Sequence, residues 1–311
     1  METVRRLTIT SLGALRIALG DQPAALLTAQ KAGALLVYLA YTGQPQAREH
    51  LADLFWSDRD SEHALGSLRM ALSTLRRQFD LPLQATRRAI GLDSQQCFLD
   101  ARQLLDAVDD FAHIRSCASA HQARSLEAAL DLYHGDFLRD FFGGSPELET
   151  WLETTRDRLR AVYVQGTLML AEYWVRQGAD SEALIRLQRA LQFDPLHEVI
   201  NNQILLLLSR NGQIAKAVEH YQSFRDRLAV ELEVEPSTQT RALMELLHER
   251  AVGDGTGAPF AAYFATPLIG REGLLMEVLA WVSEPGGRLL TLVGPGGIGK
   301  TRLALTAAEI T

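Results

Sequence analysis

The stretch that decides the fold of the N-terminal part is SEHALGSLRMALSTLRRQF, residues 61–79. Along it an apolar residue recurs at alternating steps of three and four, at Leu65, Leu68, Leu72, Leu75 and Phe79. This spacing places the apolar side chains on one side of an α-helix, so it predicts a helix with a core stripe. Asp58, Asp60 and Ser61 precede the stripe and are candidate N-cap residues.

The opposite side of this third helix is polar and short-chained. This side includes His63 and Gly66. It also carries a set of residues that we call the basic face: Ser67, Arg69, Met70, Ser73, Thr74, Arg76 and Arg77. The helix has no carboxylate after Glu62, whereas a solvated face ordinarily mixes Glu with Lys and Arg. A helix that enters the major groove of DNA must exclude acids, because phosphates flank it. Small Ser and Thr permit close approach, and Arg contacts bases or phosphates. The pattern favours DNA binding over a purely structural helix.

The segments around this helix complete a recognisable order. RLTITSL (6–12) and ALRIAL (14–19) alternate with period two and predict strands. QKAGALLVYLAYTG (30–43) and REHLADLFW (48–56) predict two helices, LQATRRAIGL (83–92) a hairpin, and CFLDARQLLDAV (97–108) a further helix. Short strands, three helices and a hairpin are the order of a winged helix-turn-helix. Arg87 and Arg88 then lie on the wing, where they are placed to contact the minor groove or the DNA backbone.

Composition excludes several classes of protein. No run of 18 apolar residues is present, so no membrane span is predicted. The eight histidines form no H-x-x-x-H pair, which gives metalloenzyme chemistry no support. Cys97 and Cys117 lack metal-ligand spacing, and a reducing cytoplasm is the simplest setting. Residues 1–100 hold 11 Lys/Arg against 10 Asp/Glu, so any DNA-binding charge must be concentrated on one side.

Residues 124–250 are almost wholly helical in pattern and repeat with a period of 34. Shifting the sequence by 34 aligns similar residues: Leu170 with Ile204, Arg176 with Arg210, Gly178 with Gly212, Ala183 with Ala217 and Leu184 with Val218. A 34-residue period with Gly between paired helices indicates tetratricopeptide-like repeats, which offer concave surfaces for protein contacts. Two unrelated amphipathic helix pairs of similar length remain the alternative.

The last part of the chain carries a nucleotide-binding pattern. Residues 253–266 are rich in Gly and Ala and predict a linker. Beyond them, LLTLVGPGGIGKT (289–301) fits a strand followed by the phosphate loop G-x-x-x-x-G-K-[ST]. Backbone N–H groups would cradle phosphates, a lysine would reach the β- and γ-phosphates, and a threonine would bind Mg²⁺. The candidate nucleotide-binding residues are Gly294, Gly296, Gly297, Gly299, Lys300 and Thr301, with Thr301 also holding the metal.

Hydrolysis of a nucleotide needs more than this loop. A second carboxylate must hold Mg²⁺ and another group must orient the attacking water, and both normally lie on later strands. We therefore expect this sequence to be a fragment that ends after the first βα unit of an NTPase domain. The expectation is that the fragment is not an enzyme and binds no cofactor, while the full-length protein uses ATP and Mg²⁺.

Residues 1–250 resemble the SARP-type bacterial regulators, in which an OmpR/PhoB-like winged helix precedes a bacterial transcriptional activation domain. The resemblance is carried by LLVYLA, REHLADLFW, LGSLRMALSTLRRQF and CFLDARQL, then by ALDLYHGDFL, ETWLETTRDRL, RALQFDPLHEVI and HYQSFRDRLAVELEVEPSTQTRAL. After the linker, PLIGRE followed by the phosphate loop is similar to the opening of STAND-class signalling ATPases. The wing RRAIGL is short and lacks the Gly-Tyr tip common in winged-helix relatives, which puts wing contacts in question.

The resemblance implies a sequence-specific activator that binds repeated promoter sites and contacts RNA polymerase. By this analogy Ser73, Thr74, Arg76 and Arg77 would face double-stranded DNA, and the helical repeats would mediate assembly, including homo-oligomers on repeated sites. The expected fold is mainly α. A winged helix over 1–104 precedes helical repeats over 105–252, the linker over 253–266 and the first βα unit of a P-loop NTPase over 267–311.

Two other functions stay open at this point. The first is an interaction scaffold or signalling NTPase whose winged helix does not bind DNA, which the near-neutral charge of residues 1–100 favours. The second is a metabolic P-loop kinase, but a kinase has no need of the 250 residues that precede the loop. The third helix, which has no carboxylate after Glu62, opposes the first alternative and supports a DNA-binding activator.

Overall fold

The computed structural model describes residues 6–20, 30–79, 83–93, 96–115 and 117–252, with the side chains of 248–252 left aside. The predicted linker, the P-loop segment and the candidate nucleotide-binding residues all lie outside the described residues. Two compact units make up the chain, Met1–Gln177 and Gly178–Thr311, and each is described by itself. The predicted boundary between residues 104 and 105 falls inside a helix of the first unit.

Six strands and ten helices lie in the part of the chain that the structure describes. The strands are β1 (Leu7–Thr10), β2 (Arg16–Leu19), β3 (Gln46–Ala47), β4 (Leu83–Ala85), β5 (Ala89–Leu92) and β6 (Cys97–Leu99). The helices are α1 (Gln30–Thr42), α2 (Arg48–Phe55), α3 (Ser61–Gln78), α4 (Asp100–Ile114), α5 (Ala120–Leu130), α6 (Pro146–Arg176), α7 (Asp180–Ala190), α8 (Glu198–Arg210), α9 (Ile214–Glu231) and α10 (Thr238–Val252).

The N-terminal sheet has the strand order β2–β1–β6. β1 pairs antiparallel with β2 and parallel with β6. The predicted alternation of buried and less buried side chains is present in β1, where Leu7 and Ile9 are fully buried. The two predicted strands are confirmed. The prediction of helix over 97–108 is wrong at its start, because Cys97–Leu99 forms β6 and the helix begins at Asp100. These three residues pair with a strand some 90 residues earlier, and no local pattern can reveal that partner.

The three predicted helices α1, α2 and α3 follow the first hairpin, and the second sheet, β3–β5–β4, closes the winged helix. β4 and β5 form the predicted antiparallel hairpin, and β5 also pairs with β3 immediately before α2. In α3 the residues Leu68, Leu72 and Leu75 are buried as predicted. The prediction that Leu65 belongs to the core stripe is wrong, because Leu65 is only half-buried and borders a cleft instead of the core.

A buried carboxylate joins the N-terminal sheet to α4. Asp100 is fully buried, and its Oδ2 accepts from the backbone N–H groups of Ser11 (2.7 Å) and Leu12 (2.9 Å). Its Oδ1 accepts from the Ser11 hydroxyl (2.7 Å) and from the Ala101 N–H (2.8 Å). Burial raises the pKa of the Asp100 carboxyl, and the hydrogen bonds from Leu12 and Ser11 act against that rise.

The segment between α5 and α6 packs against the winged helix within the same unit. Leu12 forms an isolated antiparallel bridge with Phe137, and the Leu138 N–H donates to the Ser11 carbonyl (2.8 Å). On α6, Arg160 donates to both carboxylate oxygens of Asp136 at 2.9 Å. The ring of Trp151 on α6 packs edge-on against rings from the winged helix, Tyr38 at 4.8 Å and Tyr41 at 5.7 Å between centroids. The described residues of the first unit therefore share one core.

The second unit contains helices α7 to α10, and the 34-residue alignment pairs residues from the end of α6 to α7 with residues from α8 to α9. Ala183 and Ala217 are both fully buried, and Gly178 and Gly212 both adopt positive φ, of 75° and 69°. Glycine tolerates that conformation without a steric penalty, which explains its presence at both turns. The other aligned pairs also agree: Leu170 and Ile204 are buried, Leu184 and Val218 half-buried, and Arg176 and Arg210 exposed. The tetratricopeptide class itself stays a prediction.

None of the described helices combines the length and apolarity needed to cross a membrane. Within the described residues, no group of three or more His, Cys, Asp or Glu side chains could hold a metal ion.

Candidate nucleic-acid interface

The start of α3 is fixed by one of the predicted caps. Asp60 has extended backbone angles, and its side chain accepts from the His63 N–H at 2.9 Å. Capping satisfies a backbone donor that the helix leaves unpaired, and a carboxylate also favours the positive end of the helix dipole. The His63 N–H and ring lower the pKa of the Asp60 carboxyl by hydrogen bonding to it. Arg76 and Arg77 occupy the last turn, where positive charge is favourable.

The burial of α3 separates the helix into two sides. Its core side packs in the first unit through Ala64, Leu68, Ala71, Leu72 and Leu75. Of the basic face, Arg69, Met70, Ser73, Arg76 and Arg77 are exposed, while Ser67 and Thr74 are half-buried. The residues predicted to contact DNA therefore share one outward side of a helix whose other side is anchored in the core.

The arginines of the basic face have no acidic partner in the described residues. Within residues 6–20, 30–79, 83–93, 96–115 and 117–252, no ion pair involves Arg69, Arg76 or Arg77, nor Arg87 or Arg88 of the wing. A guanidinium without a carboxylate partner can neutralise a phosphate without first breaking an ion pair. The arrangement therefore leaves these arginines available to a polyanion.

The wing is a short turn held at two points. Thr86 Oγ1 accepts from the N–H groups of Arg88 (3.3 Å) and Ala89 (2.9 Å), which fixes the turn locally. Arg48, the first residue of α2, donates its N–H to the Arg88 carbonyl (2.9 Å) and its Nε to the Thr86 carbonyl (3.0 Å). Arg87 and Arg88 are both exposed at the tip. The structure thus places the predicted wing arginines at the surface, on a turn that α2 supports.

A cleft of about 940 Å³ separates the wing from α3. Its lining comes from the start of α2, the first half of α3 and the hairpin turn, and it includes Arg48, Glu49, Leu65, Arg69, Arg87 and Arg88. Four arginines against one glutamate give the cleft a positive balance. A DNA backbone that runs between a helix in the major groove and a wing would pass such a cleft.

Two residues of this surface were not predicted. Arg48 supports the wing, and Arg59 lies in the connection before α3, where its Nη1 donates to the Ser67 hydroxyl at 2.7 Å. The Ser67 hydroxyl in turn donates to the His63 carbonyl (2.9 Å), so its proton is already committed. The sequence signal for both was an arginine at a helix boundary, but the strand pairing that brings Arg48 to the wing is not visible in sequence.

Residues 99–248 match the family model described as the bacterial transcriptional activator domain. The whole chain is similar to the regulatory protein AfsR of Streptomyces griseus, 24% identical over 324 residues, and to that of Streptomyces coelicolor, 26% identical over 312. These alignments cover 99% and 90% of this chain but only 33% and 30% of the relatives, so the chain spans about a third of their length. The regulatory protein DnrI of Streptomyces peucetius is 26% identical over 233 residues, 69% of this chain and 83% of DnrI.

Among solved structures, the chain is similar to Mycobacterium tuberculosis EmbR, determined in complex with a low affinity phosphopeptide. The TM-score is 0.61 at 18% identity, and the match covers 91% of this chain and 73% of EmbR. At this identity the likeness shows the fold alone. It supports a mainly helical architecture with a small N-terminal sheet region.

Proposed function

We propose that this chain is a sequence-specific DNA-binding transcriptional activator. The activator-domain match and the AfsR and DnrI relatives support a SARP-type transcriptional regulator. The observation that carries DNA binding is the basic face of α3, an exposed helix side with arginines that have no ion-pair partner among the described residues. Such a side is complementary to the phosphates that border a major groove.

The proposed contacts divide by role. Arg69, Met70, Ser73 and Arg77 would reach into the major groove, with Ser67, Thr74 and Arg76 at its margins. Arg87 and Arg88 would contact the backbone or minor groove from the wing. The activator-domain helices would contact RNA polymerase, and repeated promoter sites would bring several copies of the chain together on double-stranded DNA. The experiment that tests the core of this proposal is footprinting of the chain on promoters adjacent to its own gene.

The dependence of DNA affinity on salt concentration tests the electrostatic part of the proposed DNA binding. The affinity for promoter DNA is expected to fall with a slope of about −0.9 in log affinity per log salt for each phosphate neutralised. Replacing Arg87 and Arg88 together by Ala should make that slope shallower by about 2 if both wing arginines contact phosphates. Fluorescence anisotropy over a salt series measures both slopes, and an unchanged slope in the double variant would exclude the wing contacts.

A scaffold without DNA binding is the second candidate, favoured by the near-neutral balance of residues 1–100. The salt titration separates the two functions, because a scaffold has no site that neutralises phosphates. A slope near zero, together with no protected promoter sequence, would favour the scaffold.

For the phosphate loop, whose residues lie outside the described part, we propose that Gly294, Gly296, Gly297, Gly299, Lys300 and Thr301 bind ATP with Mg²⁺ in the full-length protein. We predict that residues 1–311 alone neither hydrolyse ATP nor bind it at micromolar concentration. DNA binding by this chain is then indifferent to ATP and to Lys300→Ala. Calorimetry that detects micromolar ATP binding, removed by Lys300→Ala, would contradict this prediction.

A further inference from the structure

The outward side of α3 has a centre line that can be located from its core side. At 100° per residue, His63, Gly66, Met70 and Arg77 fall within about 35° of the direction opposite the buried Leu68, Leu72 and Leu75, and Ser73 lies within about 50° of it. The helix flanks on either side of this line carry Ser67 and Arg69. If α3 inserts into a groove of a partner molecule, the residues along this line reach the floor of the groove first.

Gly66 is placed on this line although the fold does not require a glycine there. It lies inside α3, where glycine is less favourable than alanine. A Cβ built at Gly66 meets no atom within 4 Å, and the residue has no unusual φ that glycine alone could adopt. For contrast, a Cβ at Gly166 in α6 would meet Val108 Cγ2 at 2.7 Å, so that glycine is required by packing. Nothing in the described chain accounts for the missing side chain at Gly66.

Met70 lies one turn beyond Gly66 and is a large apolar side chain left in solvent. It is 69% exposed, in the middle of a helix side whose other members are polar or basic. The arginines around it make an apolar protein partner a poor fit, because burying their charges without counter-charges is costly. In the major groove, by contrast, the 5-methyl group of thymine is an apolar feature between phosphates.

We propose that α3 approaches the base edges most closely at Gly66 and that Met70 contacts the 5-methyl group of a thymine. This inference rests on the proposed function, because it assigns base-reading roles on the same surface. The absent side chain at Gly66 lets the helix backbone lie closer to the groove floor. That approach brings the Met70 side chain to the depth of the methyl groups.

The test begins with the sequence that footprinting of the wild-type chain defines. Each thymine of that sequence is replaced in turn by deoxyuridine, which removes only the methyl group. For the wild-type chain we expect at least one position at which affinity falls about fourfold, the effect of one buried methyl group. For the Met70→Ala protein, the deoxyuridine replacement at that same position should change affinity less than twofold, since the side chain that contacts the methyl group is gone.

The close approach of α3 at Gly66 is tested by adding a methyl group at that position. Gly66→Ala is expected to have an unchanged or higher Tm, yet to bind the promoter about tenfold more weakly, because the added methyl group holds the helix away from the groove. Ile185→Ala is the matched control for Met70→Ala, since Ile185 is a large apolar side chain that is 66% exposed on α7, in the second unit. It should leave both the affinity and the deoxyuridine profile unchanged.

The outcomes separate this inference from the function on which it rests. A wild-type chain that protects no promoter sequence overturns the proposed function itself. A wild-type chain that binds, but whose deoxyuridine profile is the same in Met70→Ala, overturns the thymine contact. A Gly66→Ala protein that binds as tightly as wild type overturns the close approach at Gly66.

Discussion

Arg77→Glu is expected to abolish specific DNA binding, with at least about a hundredfold loss of affinity, while leaving the fold intact. Arg77 is exposed on the centre line of the basic face and forms no ion pair among the described residues. The substitution therefore breaks no ion pair within the described chain, and losing the favourable charge at the end of α3 costs only about 0.3–1 kcal/mol. It replaces an attraction with a carboxylate directed at phosphates, and like charges brought together at an interface cost several kcal/mol. An electrophoretic shift on the footprinted promoter measures the loss.

Two controls isolate the cause of that loss. Arg227→Glu makes the same charge change at an exposed residue of α9, and binding should stay within about twofold of wild type. Leu72→Ala alters the buried side of the same helix and should lower the free energy of unfolding by about 2–5 kcal/mol. If Arg77→Glu binds the promoter as tightly as wild type and its circular dichroism is unchanged, the basic face is not the DNA-contacting side.

Asp100→Ala is expected to destabilise the first unit by about 3–5 kcal/mol. The carboxylate accepts three backbone N–H groups and one hydroxyl, all buried where water cannot replace it. Its removal leaves these donors unsatisfied beside an empty space, and each unsatisfied buried backbone donor costs about 1–3 kcal/mol. Urea unfolding followed by circular dichroism gives the change in free energy of unfolding.

Asp100→Asn should be milder than Ala but still destabilising. Each oxygen of Asp100 accepts a backbone N–H, so an amide in either orientation sets its NH₂ group against a donor. Asp110→Ala, an exposed position on the same α4, should change stability by no more than about 0.5 kcal/mol. Equal unfolding midpoints for Asp100→Ala and Asp110→Ala would show that the buried carboxylate does not hold the sheet to α4.

The parts of the fold that could be predicted are those encoded over short distances. The stripe of Leu68, Leu72 and Leu75 has the helical period within one segment, and the Asp60 cap and the β4–β5 hairpin depend on neighbours only. β6 was missed because its partner is β1, far away in sequence. The half-buried state of Leu65 could not be predicted either, since the cleft beside it depends on where the wing packs.

The residues of the candidate site likewise include some that the sequence predicts and others that only the tertiary structure reveals. The members of the basic face follow from helical geometry once the apolar stripe is known, so the exposure of Arg69, Met70 and Arg77 could be expected. Arg48 could not be recognised, because its bonds to the Thr86 and Arg88 carbonyls exist only after β3 has paired with β5. Supporting residues of this kind require the tertiary structure.

The pairing of Leu12 with Phe137, together with the Asp100 carboxylate, bears on how genes for chains with this fold can exchange parts by recombination. A crossover near residue 99, where the activator-domain match begins, would join halves whose buried donors and acceptors come from different parents. A crossover after Gln177 would carry α3, which we propose reads DNA, and its supporting core as one inherited block. Chimeras designed to transfer promoter choice should therefore move residues 1–177 together.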